Sequence, residues 1–145
     1  MVAPFNVEVI TPEGITYRGS AVSLTLPTSS GQITVLPGHI PLVSNVVAGE
    51  MVIRDGKDET FLAVSGGLVQ VNPDHVKILI TTAERAEDID EARAEQAHRR
   101  AQELMTEKRD DVDYAALSAK IEKELARMHV ARKRKHGITP QPRQE

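Results

Sequence analysis

The grammar of the chain changes once, near Arg85–Asp88, and that change constrains the fold more than any other feature. Residues 1–85 carry 13 charged side chains and residues 86–145 carry 26. Glycine and proline run the other way: eight of nine glycines and six of eight prolines precede residue 86. Many turn formers with sparse charge suit short strands joined by tight turns. Dense charge without breakers suits exposed helices. The length, 145 residues, suits one domain, or a small domain with an appendage.

The first half reads as strands. Phe5–Ile10 alternates apolar and polar residues with period two, before a turn at Pro12–Gly14. Val22, Leu24 and Leu26 alternate with Ser23 and Thr25 until Pro27. Gly31–Leu36 is stopped by Pro37-Gly38, and Met51–Arg54 runs into Asp55-Gly56, a pair that tolerates the positive φ angles of a hairpin turn. Phe61–Val64, Leu68–Val71 and Val76–Thr81 follow. Eight or more short strands with turn signals every ~8–12 residues predict an antiparallel sandwich or barrel. No strands alternate with helices, so a parallel α/β sheet is not expected.

The second half reads as two helices. Asp88 with Glu91 forms a capping-box-like start, and Ala94, Ala97, Ala101 and Leu104 share one helix face. Residues 107–112 break the pattern. Asp111 or Asp113 can cap a second helix with an apolar face of Tyr114, Leu117, Ile121, Leu125 and Met128. A short connection makes the two antiparallel neighbours. Pro140 and Pro142 predict a frayed tail from Gly137. A seam built on alanine allows close approach but buries little apolar area, about 25 cal/mol per Å² of it. Such a hairpin fits a permanent cap and a detachable arm equally well.

Composition excludes several classes. The chain has no cysteine, which removes disulfide scaffolds, thiol nucleophiles and thiolate metal sites. Its aromatics are Phe5, Tyr17, Phe61 and Tyr114, and its net charge is -3, a poor match for base stacking or general nucleic-acid binding. No apolar run approaches the ~20 residues of a membrane span, and the N-terminal residues do not read as a signal peptide. Nucleophile-elbow and zinc-protease motifs are absent. Gly49 to Gly56-Lys57 is misspaced for a phosphate loop, and Asp58 stands where Ser or Thr is needed. Asp110, Asp111 and Asp113 lack the glycine and closing Glu of a calcium loop. The five histidines are scattered. No catalytic or metal site is predicted.

Three features remain. Leu36-Pro-Gly-His-Ile-Pro-Leu42 is a stiff loop that loses little entropy on docking, although an ordinary corner with His39 bonding its own turn is the simpler reading. Asp90, Arg93 and Arg100 sit near the first helix start, and Lys123 and Arg127 on the second helix can face them. Cations around an acidic residue can hold a polyphosphate; on spacing alone a solvated charged face is simpler. Arg132-Lys-Arg-Lys-His136 suits a nucleic acid, an acidic protein, or the negative end of its own helix.

Taken in order, five motifs resemble the epsilon subunits of bacterial and chloroplast F-type ATP synthases. They are Leu36–Leu42, Val64-Ser-Gly-Gly-Leu-Val-Gln-Val71, Thr81-Thr-Ala-Glu84, Ile89-Asp-Glu-Ala-Arg-Ala94 and Asp111-Val-Asp-Tyr-Ala115. The resemblance covers residues 1–135. It implies a ten-stranded antiparallel β-sandwich over 1–86, a regulatory two-helix hairpin over 87–136 and a flexible tail over 137–145. It further implies a non-catalytic rotor subunit bridging the gamma subunit and the c-subunit ring, beneath the alpha/beta catalytic head. Such a subunit couples proton flow to ATP synthesis. Its hairpin, when extended, inhibits ATP hydrolysis. The location implied is peripheral, on the cytoplasmic face of the bacterial inner membrane.

Residue roles follow from the same resemblance. Gly31, Gln32, Pro37, Gly38, His39 and Pro41 match the surface that meets the c ring, although Gln32 stands where many relatives carry an acid. Glu84, Ile89, Asp90, Arg93, Ala94, Arg100, Lys123 and Arg127 match a regulatory ATP site that holds the hairpin folded and is not expected to need magnesium. Lys123 stands where an Arg can occur, which removes a bidentate phosphate fork. Arg132, Lys133, Arg134 and Lys135 match a contact to the beta subunit in the extended state. No cofactor is implied. The alternative is a non-catalytic nucleic-acid-binding adaptor using the basic run.

Overall fold

The computed structural model describes the backbone of residues 3–106 and 113–137, with side chains to residue 133. The expected helix break at 107–112 and residues 138–145 of the expected 137–145 tail lie outside the described residues, while Gly137 is the last residue of the second helix. Ten strands come first: β1 (Phe5–Thr11), β2 (Gly14–Ala21), β3 (Ser23–Thr28), β4 (Gly31–Val35), β5 (Leu42–Val46), β6 (Gly49–Arg54), β7 (Glu59–Val64), β8 (Gly67–Val71), β9 (His75–Ile80) and β10 (Ala83–Arg85). A 3-10 turn at Ala86–Asp88 leads to helices α1 (Glu91–Thr106) and α2 (Tyr114–Gly137).

The strands run in the order β10-β7-β6-β3-β5-β8-β9-β1-β2, with β4 paired to β3, and close over one core as a sandwich. Pairing is antiparallel except that β1 runs parallel to β9. A parallel pair needs a long crossover, and here the whole of β2–β8 supplies it. The period-two pattern does its work on both sides of this pair. Phe5, Val7 and Val9 of β1 and Val76, Ile78 and Ile80 of β9 are buried, while Asn6, Lys77 and Leu79 face out. Gly67 is fixed by close packing: a Cβ there would lie 2.1 Å from the Leu79 carbonyl oxygen.

Strands β6 and β7 break the alternation. Met51, Val52 and Ile53 are all buried, as are Leu62, Ala63 and Val64. Met51, Ile53, Leu62 and Val64 belong to the sandwich core, and Ala63 belongs to a second buried cluster with Ala86, Ile89, Ala94, Met128, Val130 and Ala131. These two strands are covered on both faces, by the core beneath and α2 above, so they read as continuous apolar runs.

Helix α1 begins later than Asp88 suggests. Asp88 lies in the 3-10 turn. Asp90 caps α1, its Oδ1 accepting the amides of Ala92 at 3.1 Å and Arg93 at 3.2 Å. Asp113 caps α2 in the same way, accepting from Ala115 and Ala116. No helix among the described residues is long and apolar enough to cross a membrane.

Candidate functional site

Helix α2 packs on β6 and β7 and carries α1 on its other side, through an unusual mixture of small side chains and ion pairs. Ala94 is fully buried and Ala101 nearly so, but Leu104 at the end of the alanine face is exposed. On α2, Leu117 and Met128 are buried as expected, whereas Tyr114 and Leu125 are exposed. Buried in addition are Glu124, Ala126, Val130 and Ala131. The single stripe misplaces these residues because α2 serves two neighbours at once, α1 and the sandwich.

The charged residues of the expected ATP site divide into two groups. Glu84, on β10, receives Arg127 of α2 as a two-pronged pair: Nε to Oε2 at 2.6 Å and Nη2 to Oε1 at 3.2 Å. Arg127 Nη1 also donates to Glu124 at 2.7 Å. Hydrogen bonding to Glu84 raises the Arg127 pKa above its ordinary value, with burial opposing and Glu124 adding to the rise. The second group lies at the start of α1. Arg93 is 3.5 Å from the Asp90 carboxylate and largely exposed. Ile89 and Ala94 are buried in the hairpin cluster. Arg100 is exposed on α1 and Lys123 half-buried on α2, and neither forms an ion pair with another described residue. The helices therefore bring Glu84 and Arg127 together and leave Arg93, Arg100 and Lys123 as cations able to meet a phosphate.

The basic run is engaged in this folded form. Arg132 Nε donates to Glu91 of α1 at 3.1 Å, and Lys133 Nζ donates to Glu50 of β6 at 2.7 Å. The side chains of Arg134 and Lys135 lie outside the described residues. Glu50 and Glu124 escaped the sequence reading, and Glu91, read there as part of a helix cap, is the partner of Arg132. Glu50 left a faint signal, a charge placed flush against the apolar run Met51–Ile53.

The proline loop stands out from the sandwich between β4 and β5. Gly38 has φ +76, which only glycine adopts readily, and its amide donates to the Pro73 carbonyl at 3.1 Å. His39 Nδ1–H donates to the Ile40 carbonyl at 2.6 Å, so His39 does bond its own turn. Ile40 is 75% exposed and Leu36 56%. Gly31, Gln32 and Pro41 are exposed, and Pro37 partly so. The loop is rigidly held yet presents apolar side chains, as a preformed docking surface does. A cleft of about 330 Å³ opens between Thr11–Thr16 and Thr81–Ala83, lined by none of the candidate site residues.

Known proteins give a consistent picture. Residues 4–86 match the beta-sandwich domain of the ATP synthase delta/epsilon chain, and residues 87–132 match its long alpha-helix domain. The ATP synthase epsilon chain of Bacillus licheniformis is 40% identical over 128 residues, covering 88% of this chain and 97% of the relative. That of Acidithiobacillus ferridurans is 37% identical, covering 95% of this chain and 99% of the relative. A chain of the Euglena gracilis mitochondrial ATP synthase assembly of OSCP, F1 and c-ring shares the fold, with a TM-score of 0.73 at 19% identity, over 92% of this chain and 84% of that one. The chain belongs to the ATP synthase delta/epsilon family, as an epsilon chain.

Proposed function

We propose that this chain is the central-stalk epsilon subunit of an F-type ATP synthase, and that its hairpin is an ATP-responsive brake on hydrolysis. The subunit is non-catalytic. Its sandwich joins the rotor, with the Leu36–Leu42 loop and Gly31-Gln32 meeting the c ring and other faces meeting gamma. Its hairpin is the moving part, in two states: folded on β6 and β7, or extended toward the alpha/beta head. The domain limits in this reading are 1–86 for docking, 87–136 for the arm and 137–145 for the tail. The complex is membrane-associated, and the cytoplasmic face is the side proposed for this subunit.

The observation that carries the reading is the hairpin interface. It is built mainly from alanines and ion pairs, with Ile89, Met128 and Val130 as its few larger apolar members, so it suits reversible docking. ATP held by Asp90, Arg93, Ala94, Arg100, Lys123 and Arg127, beside Glu84 and Ile89, stabilises the folded arm by mass action in proportion to its concentration over its dissociation constant. When ATP falls, the arm is freed. Arg132 and Lys133 then give up their partners within the chain, and Arg132–Lys135 meet the acidic surface of a beta subunit. The nucleic-acid adaptor has no support: Arg132 and Lys133 are already paired with carboxylates of the chain itself.

The test is ATP hydrolysis by an epsilon-free head of alpha, beta and gamma, with and without this protein, at low and high ATP. Inhibition that weakens as ATP rises is expected. Inhibition independent of ATP removes the sensor and keeps the brake. No inhibition despite binding to gamma removes the brake.

A further inference from the structure

Three residues of the sheet form a row beneath α2, and only one of them, Glu84, belongs to the expected ATP site. Ala63 of β7 is the register partner of Glu50 on β6 and of Glu84 on β10. Two carboxylates thus flank one small residue on the face the helix covers. Neighbouring strands lie about 4.8 Å apart, which sets the two glutamate backbones about 10 Å apart. Their partners on α2 are Arg127 and Lys133, six residues apart, a rise of about 9 Å. Val130 is midway between them, fully buried in the same cluster as Ala63. At 3.6 residues per turn, Arg127 and Lys133 lie about 60° to either side of Val130. The spacing of the sheet and the spacing of the helix therefore match, with Ala63 giving Val130 room to approach.

We propose that Glu50 and Glu84 are a two-point carboxylate clamp that holds α2 on the sandwich, and that Glu50 is its release point. The inference rests on the reading of the hairpin as a moving arm. The two ends differ in quality. Both oxygens of Glu84 are occupied by the rigid guanidinium fork of Arg127. Glu50 accepts a hydrogen bond from the flexible ammonium of Lys133, through Oε1 at 2.7 Å. Its side chain is 8% exposed, and its Oε2 is buried without a hydrogen bond, 3.8 Å from His129 Nε2. A buried carboxylate oxygen without a hydrogen bond costs free energy that release to water recovers. The arm thus has a firm end at Arg127 and a loose end at Lys133.

The chain has no cysteine, so a single Val130→Cys in the full-length protein reports release through its rate of thiol labelling. A second protein carrying only Val69→Cys, in the sandwich core, reports global unfolding. Glu50→Gln and Lys133→Gln are each expected to speed labelling at 130 about tenfold, with no further gain when combined, while labelling at 69 is unchanged. Glu59→Gln, on the exposed Arg54 pair, is expected to leave both rates alone. Unchanged labelling at 130 in Glu50→Gln and Lys133→Gln overturns the clamp, as does acceleration at both 130 and 69. Lys133 is half exposed, so its variant keeps the test decisive if Glu50→Gln folds poorly. Faster labelling with no change in inhibition of the catalytic head supports the clamp and removes the brake reading instead.

Discussion

The two buried clusters of this molecule are built on opposite terms. The sandwich core is closed by Phe5, Leu24, Leu26, Ile53, Leu62 and Ile78, all under 3% exposed. The cluster under the helices is closed mainly by Ala63, Ala86, Ala94 and Ala131, with Ile89, Met128 and Val130 as its larger members. Full burial of a large aliphatic or Phe side chain contributes about 1.5–3 kcal/mol, and an alanine methyl much less. The helical interface compensates with directional ion pairs, Glu84–Arg127, Glu50–Lys133 and Glu91–Arg132. Apolar burial is non-directional and has no alternative partner of equal quality. Ion pairs can be exchanged for water or for another protein's charges at small net cost. The core is made to persist and the helical interface to open.

The largest effect that breaks this comparison belongs to the core. Ile78→Ala is expected to cost about 2–5 kcal/mol, and in urea titration followed by circular dichroism the sandwich and hairpin should lose structure together. Loss of helical signal alone would invert the assignment of the two clusters. Ala94→Leu should act only on the second cluster. Ala94 has no exposed surface, and overpacking costs about 1–3 kcal/mol. The expected outcome is a freed hairpin on an intact sandwich, seen as retained sheet signals and sharpened helix signals in NMR spectra. Unfolding of the sandwich by this substitution would contradict the separation.

Arg127→Gln comes next. It leaves Glu84 and Glu124 without their cation; Glu84 is 32% exposed and screened by solvent, whereas Glu124 is only 7% exposed, so the loss is about 1–3 kcal/mol. Hairpin docking should weaken, and ATP should restore it less effectively than in the parent, as calorimetric titration will show. Undiminished ATP binding would remove Arg127 from the site. The smallest effect lies at the β6–β7 turn. Hydrogen bonds from the Asp58 and then the Lys57 amide hold the Asp55 carboxyl below its ordinary pKa. A depressed carboxyl stabilises the fold above its unfolded pKa of about 3.9 and loses that contribution as pH falls toward the folded value. Asp55→Asn should therefore flatten the acid limb of a stability–pH curve below about pH 4 and leave the neutral region nearly unchanged. Equal acid limbs in both proteins would show that the turn contributes nothing.

How much of this was legible depends on the distance over which each feature is encoded. The strands follow from alternation and turn residues within a few positions, as at Val76–Ile80 or Asp55-Gly56. The stiff loop was visible from its prolines. The face of α2 was only half legible. Leu117 and Met128 obeyed a single helical stripe, but Tyr114 and Leu125 did not, because α2 packs on α1 and on the sheet. The clamp was not legible at all from local pattern: Glu50 and Lys133 are 83 residues apart in the chain, and Glu84 and Arg127 are 43 apart. Only the strand order β10-β7-β6 places both glutamates under one helix.

The central claim is that the hairpin opens as a unit while the sandwich stays folded. Native-state hydrogen exchange measures this directly, by following amides of α2 from Leu117 to Ala131 alongside those of β3 and β9 at increasing sub-denaturing urea. The account predicts that the α2 amides exchange through an opening of lower free energy and weaker urea dependence than the strand amides. Merging of both sets onto one global unfolding line, with no separate opening of α2, would contradict it.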